Sequence, residues 1–282
     1  MKGAAKMSGR IRSIINQISG PIDQPWPIIV INLDRSAVRM RETSHNLADN
    51  NLSCVRFAAV DGEAMSPSLV AQLTTGHGFK RALTRAEVGC FASHLLVWHC
   101  IAQAGCPRVI VLEDDARLIS DARARLEALA RDKGAWDILK LCYPVRNLSQ
   151  ESAIVTFANR IPVGTTGYAI TSNAAAWLVA TMVPFGKPVD IALKTWWEHG
   201  LSVGVAVPPI GAPAKTHKAT STIAAGREQA SREALTVRFL RNIRYQLGRR
   251  IDRVSHFDAA RSAKHEPGTL HPAMIRLIEE AE

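Results

Sequence analysis

The chain has 282 residues, 47% of them hydrophobic and 21% charged, an ordinary globular composition with enough apolar material for one substantial core. A formal net charge of +10 and a sequence pI of about 9.7 admit an anionic lipid surface, an acidic small substrate or nucleic acid, and charge alone does not choose among them. With only 6% aromatic residues there is no stacking platform for single strands, and nucleic acid is not expected as a partner.

Five cysteines at irregular spacing (Cys54, Cys90, Cys100, Cys106, Cys142) fit a reducing compartment better than a disulfide framework. No stretch reaches the roughly 20 apolar residues of a membrane span, and the opening residues lack the apolar run and cleavage site of a secretory signal. A cytoplasmic location is therefore expected.

In chain order, residues 1–24 read as a basic, poorly ordered lead with a helical turn or two around Ile11–Ile18. Pro25 and Pro27 then open the run Ile28-Ile29-Val30-Ile31, whose continuous apolarity suits a strand buried on both faces. A helix is expected over Ser36–Asn50 with Ser36 as its cap, then a strand over Leu52–Val60 closed by the Asp61-Gly62 turn. Thr84-Arg85-Ala86-Glu87 has the form of a capping box for a long helix through Ala104, stopped by Gly105 and Pro107. A second buried strand, Arg108–Leu112, ends in Glu113-Asp114-Asp115, followed by a helix over Ala122–Asp132 and a strand over Trp136–Leu141. Tyr168–Ile170 is expected as a strand, Ala174–Met182 as a helix capped by Thr171 or Ser172, and Ile191–His199 as a helix with Asp190 as its alternative cap. Alternating strands and helices imply an α/β layer architecture.

The chemistry concentrates at Val109–Ala116. In an extended chain Glu113 and Asp115 share a face at the carboxyl end of a buried strand, where open α/β sheets place ligands. Like charges this close need a shared proton or a cation, and hard carboxylate oxygens suit Mg²⁺ or Mn²⁺. The plain alternative is that these acids only cap the next helix. Asn32 and Arg35, at another strand's carboxyl end, have donors suited to a nucleotide. Arg39 is either a phosphate contact or a solvated helix residue, and Asp61 either a donor contact or a turn residue. On the long helix Cys90 and His94 share a face while His99, at about 100° per residue, points away; the helix alone does not assemble a zinc site. His94 and Glu87 share a stripe, and His94 either lines the site edge or is a satisfied core histidine.

The segments VINLDRSAVRM (30–40), FAAVDG (57–62), LTRAEVGCFASHLLVW (83–98), VIVLEDDA (109–116), WDILKL (136–141), GTTGYAI (164–170) and PVD (188–190) together resemble glycosyltransferase family 25, the galactosyltransferase-like proteins of lipooligosaccharide biosynthesis. The resemblance spans about residues 27–223. It implies a GT-A-like, Rossmann-type nucleotide-sugar domain with a mixed, mainly parallel sheet, over 25–223, and an inverting transfer, expected to be of galactose from UDP-galactose to a lipid-linked or other oligosaccharide acceptor. By the same likeness Asp115 ligates Mn²⁺ or Mg²⁺ directly, with Glu113 or Asp114 nearer the ribose or metal-bound water, and INLDRS (Asn32, Leu33, Arg35) lies at the donor. Asp190 of PVD is the expected general base, with Asp137 the alternative carboxylate. His217 is the candidate late metal ligand.

Residues 224–282 form an arginine-rich region outside the clear resemblance. Leu235, Phe239, Ile243, Leu247 and Ile251 make an apolar stripe flanked by arginines. Such a helix over 227–253 either rests on an anionic inner-membrane surface or docks on the domain. A catalytically silent nucleotide-sugar-binding module, or a basic nucleic-acid binder, are the competing classes.

Overall fold

The computed structural model describes residues 9–75, 82–131, 136–144, 155–156, 161–214 and 269–281. His217 and the stripe at 227–253 lie outside them.

Helices in chain order are α1 (Gly9–Ser19), α2 (Ala37–Ala48), α3 (Pro67–Leu73), α4 (Arg85–Ala104), α5 (Ala122–Arg131), α6 (Ser172–Thr181), α7 (Val189–Lys194), α8 (Trp196–His199) and α9 (Pro272–Glu280). Strands are β1 (Ile28–Asn32), β2 (Val55–Ala58), β3 (Arg108–Glu113), β4 (Ala116–Leu118), β5 (Ile138–Cys142), β6 (Val155–Thr156), β7 (Gly167–Thr171), β8 (Val203–Ala206) and β9 (Gly211–Pro213).

They form one mixed sheet in the order β2-β1-β3-β7-β5-β8-β6, with β9 joining β5 and β4 joining β9. The β2-β1-β3 edge is parallel and built through helical crossovers, a Rossmann-like half. β7 enters antiparallel between β3 and β5, and β8 and β9 run parallel to β5.

Alternation along the strands explains the three layers. Ile29 and Ile31 of β1 and Val109 and Val111 of β3 face one core, which α1, α4 and α6 cover. Ile28, Val30, Ile110 and Leu112 face a second core, which α2 and α5 cover. Because both faces are buried, these strands read as unbroken apolar runs.

α4 is the central post, buried from Glu87 to Ile101 apart from Cys90. Its capping box is complete: the Thr84 hydroxyl accepts from the Glu87 amide at 3.2 Å, and Glu87 Oε2 accepts from the Thr84 amide at 3.0 Å. Gly105 ends the helix at φ 66°, a left-handed conformation that costs glycine nothing.

Three local expectations change. The lead contains a three-turn helix, α1, because Ile11, Ile14 and Ile18 recur on one face and bury against α4. Ser36 occupies the cap of α2 but makes no capping bond; a 3-10 turn over Asp34–Ser36 enters the helix instead. The expected helix at Ile191–His199 is two short helices, α7 and α8, meeting at Thr195, whose ψ of 57° is not helical.

Candidate active site

The carboxyl ends of β1 and β3, the body of α4 and the middle of β5 converge around Glu113 and Asp115, and the start of α7 brings Asp190 within electrostatic reach of Lys140 on β5. Glu113 is the last residue of β3, and its backbone N–H donates to the Thr166 carbonyl at 3.0 Å. Its Oε1 accepts from the Thr165 hydroxyl and faces His94 Nε2 at 3.5 Å. Burial opposes its charge, but His94, Thr165 and the Lys140 ammonium outweigh that and hold the Glu113 carboxyl below its usual range.

Asp115 is the outlier. Its Oδ1 is buried with no hydrogen-bond partner. Burial first, then the charge of Glu113, pushes its carboxyl up to about 7, against the opposing pull of Arg39. Buried polar atoms are nearly always paired, so an orphaned carboxylate oxygen beside a second carboxylate calls for an explanation.

Asp114 is tied into the fold. It is buried, accepting from Asn32 Nδ2 at 2.7 Å and from Arg39 Nη2, while its carbonyl accepts from the Thr43 hydroxyl at 2.8 Å. Asn32 is 1% exposed, and its Oδ1 accepts from Arg56 Nε at 2.9 Å. Asn32 and Asp114 therefore grip each other and lock β1 to β3. The sequence placed both at the donor; in the fold each side chain has partners inside the protein, Asp114 from the turn that follows β3. Leu33 accepts from Ser36 N–H through its carbonyl at 2.9 Å and sits half-buried at the tip of β1. Arg35 and Asp61 form an ion pair beside it. Arg39 adjoins Asp115 as well as Asp114, and its Nε is buried without a partner.

The AVDG turn is pressed onto α4. The Val60 amide donates to the Ser93 hydroxyl at 2.8 Å. A Cβ at Gly62 would lie 1.8 Å from the Arg85 carbonyl oxygen, and one at Gly89 2.4 Å from the Gly62 amide, so only two glycines allow this approach.

His94 is fully buried, with Nδ1 2.7 Å from the Tyr168 hydroxyl; that hydroxyl accepts from Trp98 Nε1 at 2.8 Å. Removing that oxygen strands both partners. Tyr168→Phe is expected to cost about 1–3 kcal/mol, read as a lower urea midpoint at unchanged slope.

Lys140, inside β5, was not singled out from the sequence. It is 2% exposed and donates to the Gly164 carbonyl; burial pushes its ammonium down to about 8 against the raising charges of Asp190 and Glu113. The visible signal was a lysine in the otherwise apolar run Ile138–Cys142. Asp190 lies in the first turn of α7, where its Oδ1 accepts from the Ile191 amide at 2.9 Å. Asp137 is not brought here. It precedes β5, level with the opposite end of β3, roughly 16 Å along the strands at ~3.3 Å per residue, and accepts from the Ser202 amide at 2.8 Å.

Residues 26–193 match the sequence profile described as glycosyltransferase family 25 (LPS biosynthesis protein). The chain belongs to glycosyltransferase family 25. Similar relatives include the human inactive glycosyltransferase 25 family member 3, 31% identical over 189 residues, covering 61% of this chain and 32% of that protein. Human procollagen galactosyltransferase 2 is 32% identical over 182 residues, covering 58% and 29%. A glycosyltransferase 25 family member from Aedes aegypti is 28% identical over 196 residues, covering 61% and 32%. The chain thus spans about a third of the length of the curated relatives it matches. In this family 25 chain the matched region ends at α7 and takes in Asn32, Asp61, His94, Glu113, Asp115, Lys140, Tyr168 and Asp190.

Proposed function

We propose that this family 25 chain is a metal-dependent glycosyltransferase with a GT-A-like site that moves a hexose, galactose from UDP-galactose by likeness, onto a lipooligosaccharide or related surface glycan. The observation that carries this reading is the buried, partnerless Oδ1 of Asp115 beside Glu113 at the end of an inner strand. Two carboxylates so placed are the donor set a hard divalent cation takes, and Mn²⁺ or Mg²⁺ fits them, held by Asp115 and Glu113. When bound, the ion would act as a Lewis acid, neutralising charge on the departing nucleoside diphosphate.

The remaining work falls to the chain's own residues. Arg35 and Arg39 offer guanidinium donors to anionic donor oxygens. Asp190 accepts the proton of the attacking acceptor hydroxyl. Lys140 puts a positive charge within electrostatic reach of both Glu113 and Asp190, which tempers the repulsion of so many acids in one cleft. Among the described residues no helix is long and apolar enough to cross a membrane; the stripe at 227–253 offers either contact with an inner-membrane surface or docking on the domain.

The inactive relative named above supports a second reading, a nucleotide-sugar-binding module without turnover. Calorimetry with UDP should give binding at least tenfold tighter with Mn²⁺ than with a chelator. UDP-galactose should then be hydrolysed slowly without acceptor. Metal-linked binding with no hydrolysis or transfer from any UDP-hexose selects the silent module, and binding indifferent to metal rejects both.

A further inference from the structure

Cys90 and His94 lie one turn apart on α4 and so share a face. The fold carries Glu113 to them from the end of β3. Cys90 Sγ, a His94 ring nitrogen and a Glu113 carboxylate oxygen all fall within 4.8 Å of one another. The third ligand that the helix lacked comes from the sheet.

The spacing is informative. His94 Nε2 and Glu113 Oε1 are 3.5 Å apart, long for a good hydrogen bond. Zinc–nitrogen and zinc–oxygen bonds of about 2.0–2.2 Å set tetrahedral ligand atoms roughly 3.4 Å apart. The His94 ring is already oriented: Nδ1 meets the Tyr168 hydroxyl at 2.7 Å, and Trp98 fixes that hydroxyl. An outer hydrogen bond on the second ring nitrogen is the usual support of a metal-binding histidine. Cys90 is half-buried, and the Glu113 side chain is 26% exposed, so an ion has a way in.

We propose that Cys90, His94 and Glu113 form a second cation site, selective for Zn²⁺-class ions, and that filling it withdraws Glu113 from Asp115. Thiolate and imidazole discriminate against Mg²⁺ and Mn²⁺, which prefer oxygen donors. On binding, the Cys90 thiol loses its proton to solvent, and His94 must carry its ring proton on Nδ1, towards the Tyr168 hydroxyl, so that Nε2 can face the ion. Three protein ligands leave a fourth position for water. One carboxylate cannot serve both ions fully, so zinc occupancy and the Asp115 site compete. The ligand set stands on geometry alone; the inhibitory consequence rests on the function proposed above.

The test titrates the full chain, freed of metal, with Co²⁺, whose thiolate complexes absorb in the near ultraviolet. A one-to-one thiolate-to-cobalt band is expected, bleached by Zn²⁺. Cys90→Ser should abolish it and weaken Zn²⁺ binding at least tenfold, while Cys106→Ser leaves it intact. Should Cys90→Ser fold poorly, the wild-type chain gives the same information: Zn²⁺ should slow alkylation of Cys90 at least tenfold while Cys54 and Cys106 react as before. Absence of a thiolate band, its survival in Cys90→Ser, or alkylation of Cys90 unchanged by Zn²⁺ overturns the site. In transfer assays with Mn²⁺, micromolar Zn²⁺ should inhibit the wild type at least tenfold more than Cys90→Ser, which keeps basal turnover. Equal inhibition of both removes the competition. A cobalt band without metal-linked UDP binding leaves this site standing and rejects the proposed function instead.

Discussion

Asp115→Ala is expected to lower turnover by about 10² to 10³, the usual loss when one electrostatic stabiliser is removed, and to abolish the dependence of UDP binding on Mn²⁺. The folded protein holds the Asp115 carboxyl at about 7, so at the proposed metal site a proton and the cation would compete for it. Apparent Mn²⁺ affinity should be flat above that pH and fall by up to tenfold per unit below it, with a proton released on binding. Stability moves the other way. A carboxyl whose folded value lies above its unfolded one stabilises the fold at low pH, and that contribution fades as pH rises towards about 7. In chelator, Asp115→Asn should therefore raise the thermal midpoint at pH 8 by about 2 °C or more, what roughly 1 kcal/mol gives in a chain of this size, and bring no gain at pH 4. A variant that gains stability while losing turnover marks a residue held for function. Unchanged turnover in Asp115→Ala would remove Asp115 from the site.

Asp190→Asn tests the proposed general base. Asparagine keeps an oxygen to accept the Ile191 amide, so α7 should start as before. What it loses is the ability to take a proton. General-base removal typically costs about 10² to 10⁴, and the loss should fall on kcat, with KM for the UDP-sugar within about threefold of wild type. A loss confined to a few-fold would assign Asp190 to helix entry alone. In the same assay Asp137→Asn should leave kcat within a few-fold, since its carboxylate holds the Ser202 amide at the far end of the sheet.

Much of this site was legible because its signals are local. A β-branched run ending in three acids specifies a buried strand and sets Glu113 at its carboxyl end; the strand stops there, and Asp114-Asp115 form a turn in place of the extended continuation expected. The Thr84–Glu87 box and Gly105 fix both ends of α4 within a few residues of sequence. The seven matching segments carried the family.

Other assignments depended on pairings far apart in the chain. Asp114 is 82 residues from Asn32, and nothing near either one says that they satisfy each other. Lys140 and Tyr168 are cross-strand partners, so both the importance of a lysine in a buried strand and the oxygen shared by His94 and Trp98 come from the antiparallel entry of β7. Asp137 and Asp190 are equally acidic in sequence, but strand register sends one to the amino end of the sheet and leaves the other near Lys140.

The amino-acid sequence alone determined the family, the strand that bears the acids and the ends of the central helix, because periodicity and capping act within about a turn or a strand. Which carboxylates stand near Lys140, which one holds β1 to β3, and which side chain meets Cys90 and His94 were decided only by the tertiary pairing of the strands. Register and burial are properties of several strands at once, and no single segment contains them.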